Sequence, residues 1–490
     1  MSMRRNAALG TALILIAGAT AASANVPVTE VASDGFTNPT SQHRTIVEPD
    51  TFAVGSTIVS AFQVGRFFNG GGSDIGFATS TDNGATWTNG VMPGLTSQVD
   101  PTSQFQRASD ASVAFDARHN VWMVSSIPLL PNTAVPLIAV NRSTDGGLTW
   151  GNPVFLPQPA TKVVDLDKNW TACDNTPTSP FYGNCYTEFD NFGQGDVEYM
   201  STSSDGGVTW SVPIDTAGHD KGLGGQPVVQ PNGTVVVPFE SLNGAISSFV
   251  STNGGASWSH AVKVAGIRFH GVAGNLRTSP LPSAEIGGDG TVYVAWEDCR
   301  FRVKCSSNDI VFSTSHDGLS WSAPARIPID AASSTVDHFI PGLAVDRATS
   351  ASHTHLALTY YFYPNANCTT TTCRLTVGYI SSPDGGAHWG AAQQLAGPMS
   401  LTDIAQTSQG PMVGDYISTS FMGSGQALTA FAVGLPHAVD GPFDEALYVP
   451  SSPLGVASAA DAVNAASTAG VVAPITGIGT GETHHDLKQE

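Results

Sequence analysis

The chain has 490 residues, with 52 Gly, 31 Pro and only 12% charged residues. That balance excludes long charged helices and suits many short strands joined by turns. Acidic residues outnumber basic ones 40 to 20, and the formal net charge of −20 disfavours nucleic acid and anionic membrane as partners.

In chain order, the first element is a targeting segment. Arg4 and Arg5 precede an apolar run from Ala7 to Ala19, and Ala22-Ser23-Ala24 follows. A basic start, a short apolar stretch and small residues for cleavage read as a signal peptide over residues 1–24. The mature chain is then expected to begin near Asn25. The run is too short for a membrane anchor, and no other apolar stretch approaches a span. The expected location is therefore extracellular or periplasmic.

Next comes a repeat. Ser80-Thr81-Asp82-Asn83-Gly84-Ala85-Thr86-Trp87 recurs as Ser143 to Trp150, Ser203 to Trp210 and Ser251 to Trp258. A shorter copy runs from Ser315 to Trp321, and the last from Ser382 to Trp389. Asp or Asn can bond its own backbone two residues on, and Gly accepts positive φ, so each copy centres on a tight turn. Ser and Thr hydroxyls satisfy nearby backbone groups, and the Trp offers a large apolar face to bury. A β-rich stretch precedes each copy, such as Ile75 to Thr79 or Asp309 to Ser313, and a short strand follows. Each copy therefore reads as a hairpin between the third and fourth strands of a four-stranded unit. The tryptophans are 63, 60, 48, 63 and 68 residues apart, a period that fits the blades of a β-propeller.

After the last copy, Asp415 to Phe421, Ala427 to Val433 and Ala446 to Val449 read as three more strands. The missing fourth strand can come from Val26 to Val31, which would close the ring and remove open sheet edges. The fold expected is all-β, a propeller over residues 25–450 with seven blades, six being the alternative. Residues 451–490, rich in Ala, Gly, Ser and Thr, read as a flexible tail ending in Thr483-His484-His485-Asp486. Six cysteines fall as near neighbours, Cys173 with Cys185, Cys299 with Cys305 and Cys368 with Cys373, and suggest three short-loop disulfides in an oxidising compartment.

Propeller ligands bind at one mouth of the central channel, where first strands begin. Candidate first strands start near Glu48-Pro49-Asp50, Asp110, Asp167-Lys168-Asn169-Trp170, Gln226, Ser283-Ala284-Glu285, His338 and Asp415-Tyr416. Several bring carboxylates, so either hydrogen-bonded acids with room for a weakly bound Ca2+ or a polar glycan pocket can sit on the axis. No other cofactor is expected. There is no Gly-x-Ser-x-Gly elbow and no Walker-type loop.

The repeated S-x-D-x-G-x-T-W pattern resembles the Asp box, or BNR repeat, of sialidases (neuraminidases) and related propellers, and the likeness covers most of residues 40–435. That resemblance implies a secreted glycoside hydrolase acting on terminal acidic sugars of glycans. It implies a tyrosine nucleophile, an exception to the two-carboxylate rule for glycosidases. Position by position, Tyr416 would be the nucleophile, Glu285 its base and Asp74, in the loop before the first box, the acid. Arg44, Arg300 and Arg374 would clamp the carboxylate, with Arg66 after the second strand. The family's Arg-Ile-Pro signature is replaced by Arg44-Thr45-Ile46-Val47-Glu48-Pro49, and Tyr416 lacks the family's second Ser and following Leu. A non-catalytic propeller binding glycan or protein, or a lyase or hydrolase for uronic-acid polysaccharides, stands as the alternative. A glycan partner and a monomeric chain are expected.

Overall fold

The computed structural model describes residues 26–439 and 441–458, together with the backbone of 463–464. The signal peptide and the terminal His pair lie outside the described residues. Strands account for 44% of the described residues and helical turns for 3%, so the protein is all-β. Among the described residues no helix is long and apolar enough to cross a membrane.

Apart from two short pairs, His388–Trp389 with Val463–Asn464 and Ala405–Thr407 with Gly410–Met412, the described strands fall into seven antiparallel groups of four positions, in chain order. The first comprises Ile46–Val54, Thr57–Arg66, Gly72–Ser80 and Thr88–Val91, and the second Arg107–Asp116, Val121–Leu129, Ala139–Ser143 and Val154–Phe155. One pair, Gly72 with Ala108, joins these two groups. The third holds Leu166–Cys173, Cys185–Asn191, Val197–Ser203 and Ile214–Asp215. In the fourth, two short pieces, Gly222–Leu223 and Val228–Val229, share the first position beside Val235–Ser241, Ala245–Ser251 and Val262–Gly266. The fifth runs from Ser283–Ile286 to Ala325–Arg326, and the sixth from Asp337–Val345 to Gln393–Met399. The seventh takes Ser418–Phe421, Ala427–Gly434 and Glu445–Pro450, and its fourth strand is Val28–Ala32 from the start of the chain. Val28 pairs with Pro450 and Thr29 with Val449, as the sequence reading expects.

Apolar cores lie between consecutive sheets. Val59, Ile75 and Phe77 of the first sheet pack with Val113 and Trp122 of the second. Tyr186 and Met200 of the third pack with Phe239 and Trp258 of the fourth. Val31, Leu447 and Val449 of the seventh pack with Ile46, Phe62 and Val64 of the first. First strands are also linked by side chains. Asp50 Oδ2 accepts the Val113 N–H at 2.7 Å, Ser112 Oγ that of Thr171 at 3.0 Å, and Gln226 Oε1 that of Ala284 at 2.8 Å. Ser283 Oγ accepts the Leu343 N–H at 2.9 Å, and Thr419 Oγ1 donates to Gly342 O at 2.9 Å. Thr51 Oγ1 meets Ser418 Oγ at 2.9 Å, joining the first sheet to the seventh.

The repeated turns sit where the hairpins were expected, and their glycines have two different jobs. In the second copy Asp145 Oδ1 accepts the Thr149 N–H at 3.0 Å, while Ser143 Oγ accepts the Gly147 N–H at 3.0 Å. Gly146 and Gly147 both take positive φ, which a side chain resists. Only Gly147 also touches a neighbour: a Cβ there would lie 2.6 Å from Val59 Cγ2 of the preceding sheet, and Thr79 Oγ1 donates to its carbonyl at 2.7 Å. Gly84, the matching residue of the first copy, lies against Leu428 of the seventh sheet. The turn is therefore also a seam.

All three disulfides form in the expected pairs. The tail boundary needs correction. Leu454 is buried and exchanges backbone hydrogen bonds with Ala427, Tyr379 Oη donates to Gly455 O at 3.3 Å, and the Ala457 N–H donates to Ser381 Oγ at 2.9 Å. Residues 451–457 thus strap the sixth sheet to the seventh, because Leu454 finds an apolar seat there.

The two glycines give a test of the seam. Gly146→Ala meets open space and should cost about 1–2 kcal/mol through its backbone alone. Gly147→Ala should cost a further ~1–3 kcal/mol from overpacking against Val59. Urea unfolding of both variants measures the difference; equal losses would mean that the contact carries no stability.

Candidate functional site

The site grows from a recurring irregularity in the first strands. Register shifts occur between Val47 and Asp50, Ser109 and Ser112, Asp167 and Trp170, and Phe339 and Gly342. At each, one residue takes positive φ: Glu48 (55°), Asp110 (51°), Lys168 (50°) and Ile340 (50°). A bulge leaves its residue unpaired and re-aims the side chain. Positive φ at a residue other than glycine is strained, and such strain clusters where a side chain must be held in one place.

Three of these bulges bring charges together. Lys168 Nζ lies 3.3 Å from Asp110 Oδ1 and forms a closer ion pair with Asp415. Arg277, from the segment leading into the fifth sheet, grips Asp415 in fork geometry, Nε to Oδ1 at 2.8 Å and Nη2 to Oδ2 at 2.5 Å. The Asp415 N–H donates to Glu48 Oε1 at 3.2 Å, and Glu48 Oε2 accepts from Gln63 Nε2. Gln63 Oε1 in turn accepts Arg66 Nη1 at 2.7 Å. The guanidinium Nε of Arg66, on a residue only 3% exposed, has no hydrogen-bond partner.

These groups border two cavities. One of about 380 Å³ is lined by Asp110, Lys168, Trp170, Gly224, Pro341 and Tyr416 among others. The second, a cleft of about 790 Å³, is lined by Arg66, Asn69, Ser109, Asp110, Lys168 and Arg277, with Ser408 and Gln409 at its edge. Asp110 and Lys168 wall both.

Electrostatics follow from burial and neighbours. Burial opposes the charge on Asp415, but Arg277 and Lys168 more than offset it and hold its carboxyl well below the usual range. Burial, then the Asp110 and Asp415 charges, push Glu48 up to about 7. Burial and then the neighbouring Arg277 lower Arg66 to about 10, so two cations are close enough to repel. Burial, with Glu48 and Asp110 beside it, keeps the Tyr416 phenol well above its ordinary value.

Of the residues that the resemblance nominated, Arg66 and Tyr416 line these cavities. Tyr416 Oη donates to Ala111 O at 3.0 Å, and its ring meets Trp170 edge-on at 5.2 Å. Glu285 faces Arg347 at 3.8 Å. Asp74 is corrected from loop to strand: it sits inside Gly72–Ser80, fully buried, accepting from Thr96 Oγ1 at 2.6 Å, and burial pushes it to about 8. Arg44 stands before the first strand, at φ 62°, paired with Asp444. Arg300 folds back on Asp298, Nε to Oδ1 at 2.8 Å, and Arg374 donates to Cys373 O at 2.8 Å. Arg277 went unnoticed in the sequence because it belongs to no repeat and precedes its strand by several residues. In the sequence Lys168 stands only at the start of a candidate strand.

One group has metal-ligand types: Asp309, Asp330 and His338, with ligand atoms within 4.8 Å. Arg302 and Arg326 already pair with both aspartates at 2.5–2.7 Å, and burial lowers His338 to about 4. It is an ion-pair network, and its charge is met without a metal.

No protein-family model matches the chain, and no curated protein matches it. Solved structures do resemble it. A protein of unknown function from Dyadobacter fermentans DSM 18053 aligns with TM-score 0.46 and 16% identity over 73% of this chain and 99% of that one. Trypanosoma rangeli sialidase, in complex with sialic acid, aligns with TM-score 0.45 and 14% identity over 74% of this chain and 60% of that one. The NanB sialidase of Streptococcus pneumoniae aligns with TM-score 0.42 and 13% identity, over 88% and 71%. What the site can do follows from its own side chains.

Glu48 gives a pH test. Folding raises its pKa from 4.5 to about 7, so between those values the folded chain holds a proton that the unfolded chain releases. Stability from this group is full below pH 4.5 and falls as pH climbs toward 7. The stability of the wild type relative to Glu48→Gln should therefore decline across that window, read by urea unfolding at each pH. A constant difference would mean that Glu48 is not perturbed.

Proposed function

We propose that this chain is a secreted, monomeric seven-bladed Asp-box propeller whose axial cleft binds a terminal acidic sugar of a glycan. The observation that carries the reading is a pair of guanidinium groups on one cleft, buried Arg66 and half-buried Arg277, with Arg66 Nε lacking an acceptor. Asp415 already fills the fork of Arg277, whereas Arg66 donates to the neutral Gln63 Oε1 and has its pKa lowered by burial and by Arg277, and a carboxylate fits a guanidinium fork. Asn69, Ser109, Thr133 and Ser408 offer hydroxyl and amide groups of the kind that orient a polyol, and the carboxylates of Asp110 and Asp165 can accept from sugar hydroxyls. The net charge of −20 favours a single acidic sugar over a polyanionic chain, which the surface would repel. The propeller itself is supported by the seven sheets in chain order, the cores between neighbours, and the contacts from seventh sheet to first.

Hydrolysis by a sialidase-type mechanism is the alternative, and Tyr416 lining a cavity is the observation in its favour. It would need Glu285 beside the phenol, whereas Glu285 keeps company with Arg347 and the phenol donates to Ala111 O. Binding is therefore the reading that the geometry supports best.

Calorimetric titration of the mature chain with N-acetylneuraminic acid, glucuronic acid and galactose tests it. The acidic sugars should bind and galactose should not, and Arg66→Ala should weaken binding by about 10- to 100-fold, the worth of a charge-assisted hydrogen bond. Equal binding of galactose, or no binding at all, would overturn the proposal. A fluorogenic α-sialoside run alongside decides between the readings. Release that Tyr416→Phe abolishes would establish the hydrolase.

A further inference from the structure

The turn that follows Arg66 brings a second donor to the cleft, and its orientation is set from behind. Residues 67–71 join Thr57–Arg66 to Gly72–Ser80, and the Phe67 N–H closes the turn by donating to Gly71 O at 2.8 Å. Asn69, Gly70 and Gly71 line the cleft. The Ser408 N–H donates to Phe68 O at 2.9 Å, which ties the turn to the edge formed by Ser408 and Gln409.

Arg107 lies behind this turn, at the start of Arg107–Asp116 in the second sheet. It is 8% exposed and does not itself line the cleft. Its Nη1 donates to Asn69 Oδ1 at 2.7 Å and to Gly70 O at 3.1 Å. Its guanidinium carbon stands 4.2 Å from the centre of the Phe67 ring. A Cβ on Gly71 would lie 3.2 Å from Arg107 Cβ and 3.4 Å from Leu129 Cδ1, so the turn rests directly on the second sheet. Burial lowers the pKa of Arg107, and no carboxylate among the described residues offsets that loss. A cation buried without a counter-ion is costly, and this one spends its hydrogen bonds on the turn.

The pairing fixes which way the Asn69 amide faces. A guanidinium only donates, so the amide must show its oxygen to Arg107. An unheld asparagine could offer a ligand either its acceptor or its donors. This one has only Nδ2 left to offer, and Nδ2 bonds to no protein group among the described residues.

We infer that Asn69 is a specificity-determining residue of the cleft, donating from Nδ2 to an acceptor oxygen of the acidic sugar, and that Arg107 is the positioning residue that turns it. The inference rests on the reading of the cleft as a sugar site. Arg66 ends the strand that leads into the turn, so Arg66 Nε and Asn69 Nδ2 hang from one short segment. A ligand that answers both must present two acceptors to that segment, which fixes its orientation as well as its charge.

Calorimetric titration of the mature chain with N-acetylneuraminic acid and glucuronic acid tests it. Asn69→Ala should weaken the binding of an acidic sugar by about 3- to 10-fold, the worth of one hydrogen bond, and leave thermal unfolding unchanged. Asn69→Asp keeps the shape but exchanges the donor for an acceptor, and should weaken binding further. Arg107→Met should cost about as much as Asn69→Ala, and nothing more when added to Asn69→Ala, because it acts through the amide. Asn69 is exposed, so its two variants decide the matter if Arg107→Met does not fold. Wild-type affinity in both Asn69 variants would overturn the inference and leave the sugar reading standing. Losses from Asn69→Ala and Arg107→Met that simply add would overturn the role of Arg107. A wild type that binds neither sugar would overturn the sugar reading, and this inference with it.

Discussion

Asp415 is the residue on which the arrangement of charges beside the two cavities depends. It belongs to the entry of the seventh sheet, yet its two oxygens are held by Lys168 of the third and Arg277 ahead of the fifth. A carboxylate so deeply buried is costly alone and tolerable only with both cations present. The cations are in turn acceptable there only because Asp415, Asp110 and Glu48 surround them. Sheets remote in sequence are thereby fixed to one point. Arg66 stands just outside this balance, with part of its guanidinium unmatched, and that is why a ligand is best sought beside it.

The architecture was legible because its main signals are local. A turn that must place Asp, Gly and Trp at fixed offsets writes itself into the sequence each time it occurs. The pairing of Val28–Ala32 with the last sheet could be reasoned from a strand count and the cost of open edges. What the repeat did not disclose is why its second glycine is needed. Gly147 looks like turn chemistry in the sequence, but half of its role is contact with Val59, more than eighty residues earlier. The strap at 451–457 was misread for a related reason, since one Leu in a run of small residues has little pattern of its own.

The site was much less legible. Tyr416 and Arg66, which line the cavities, can be placed from the sequence because each sits next to a strand whose position the repeat fixes. Arg44, Arg300 and Arg374 were chosen by order along the chain, and order does not say where a guanidinium points. Each met a local acceptor instead: Asp444, Asp298 and the carbonyl of Cys373. Arg277 lies outside every strand, and the pairing of Lys168 with Asp415 depends on a bulge that turns the lysine toward the cavities. Bulges shift register without leaving a composition mark, so only coordinates reveal them.

The strand borrowed from the start of the chain has a consequence for how the molecule is made. Thr29 Oγ1 meets Ser451 Oγ at 2.7 Å across 422 positions of sequence. Six sheets can form from neighbouring hairpins as the chain emerges, but the seventh must wait for both ends to be free at once. Closing so long a loop is entropically expensive and slow, and until it happens the outer strand Glu445–Pro450 has an open edge. The two strands whose late pairing makes folding slow lie side by side when it is finished. A chain joined there and opened between two other sheets would replace this distant pairing with a hairpin, and every sheet would then assemble from contacts close in sequence.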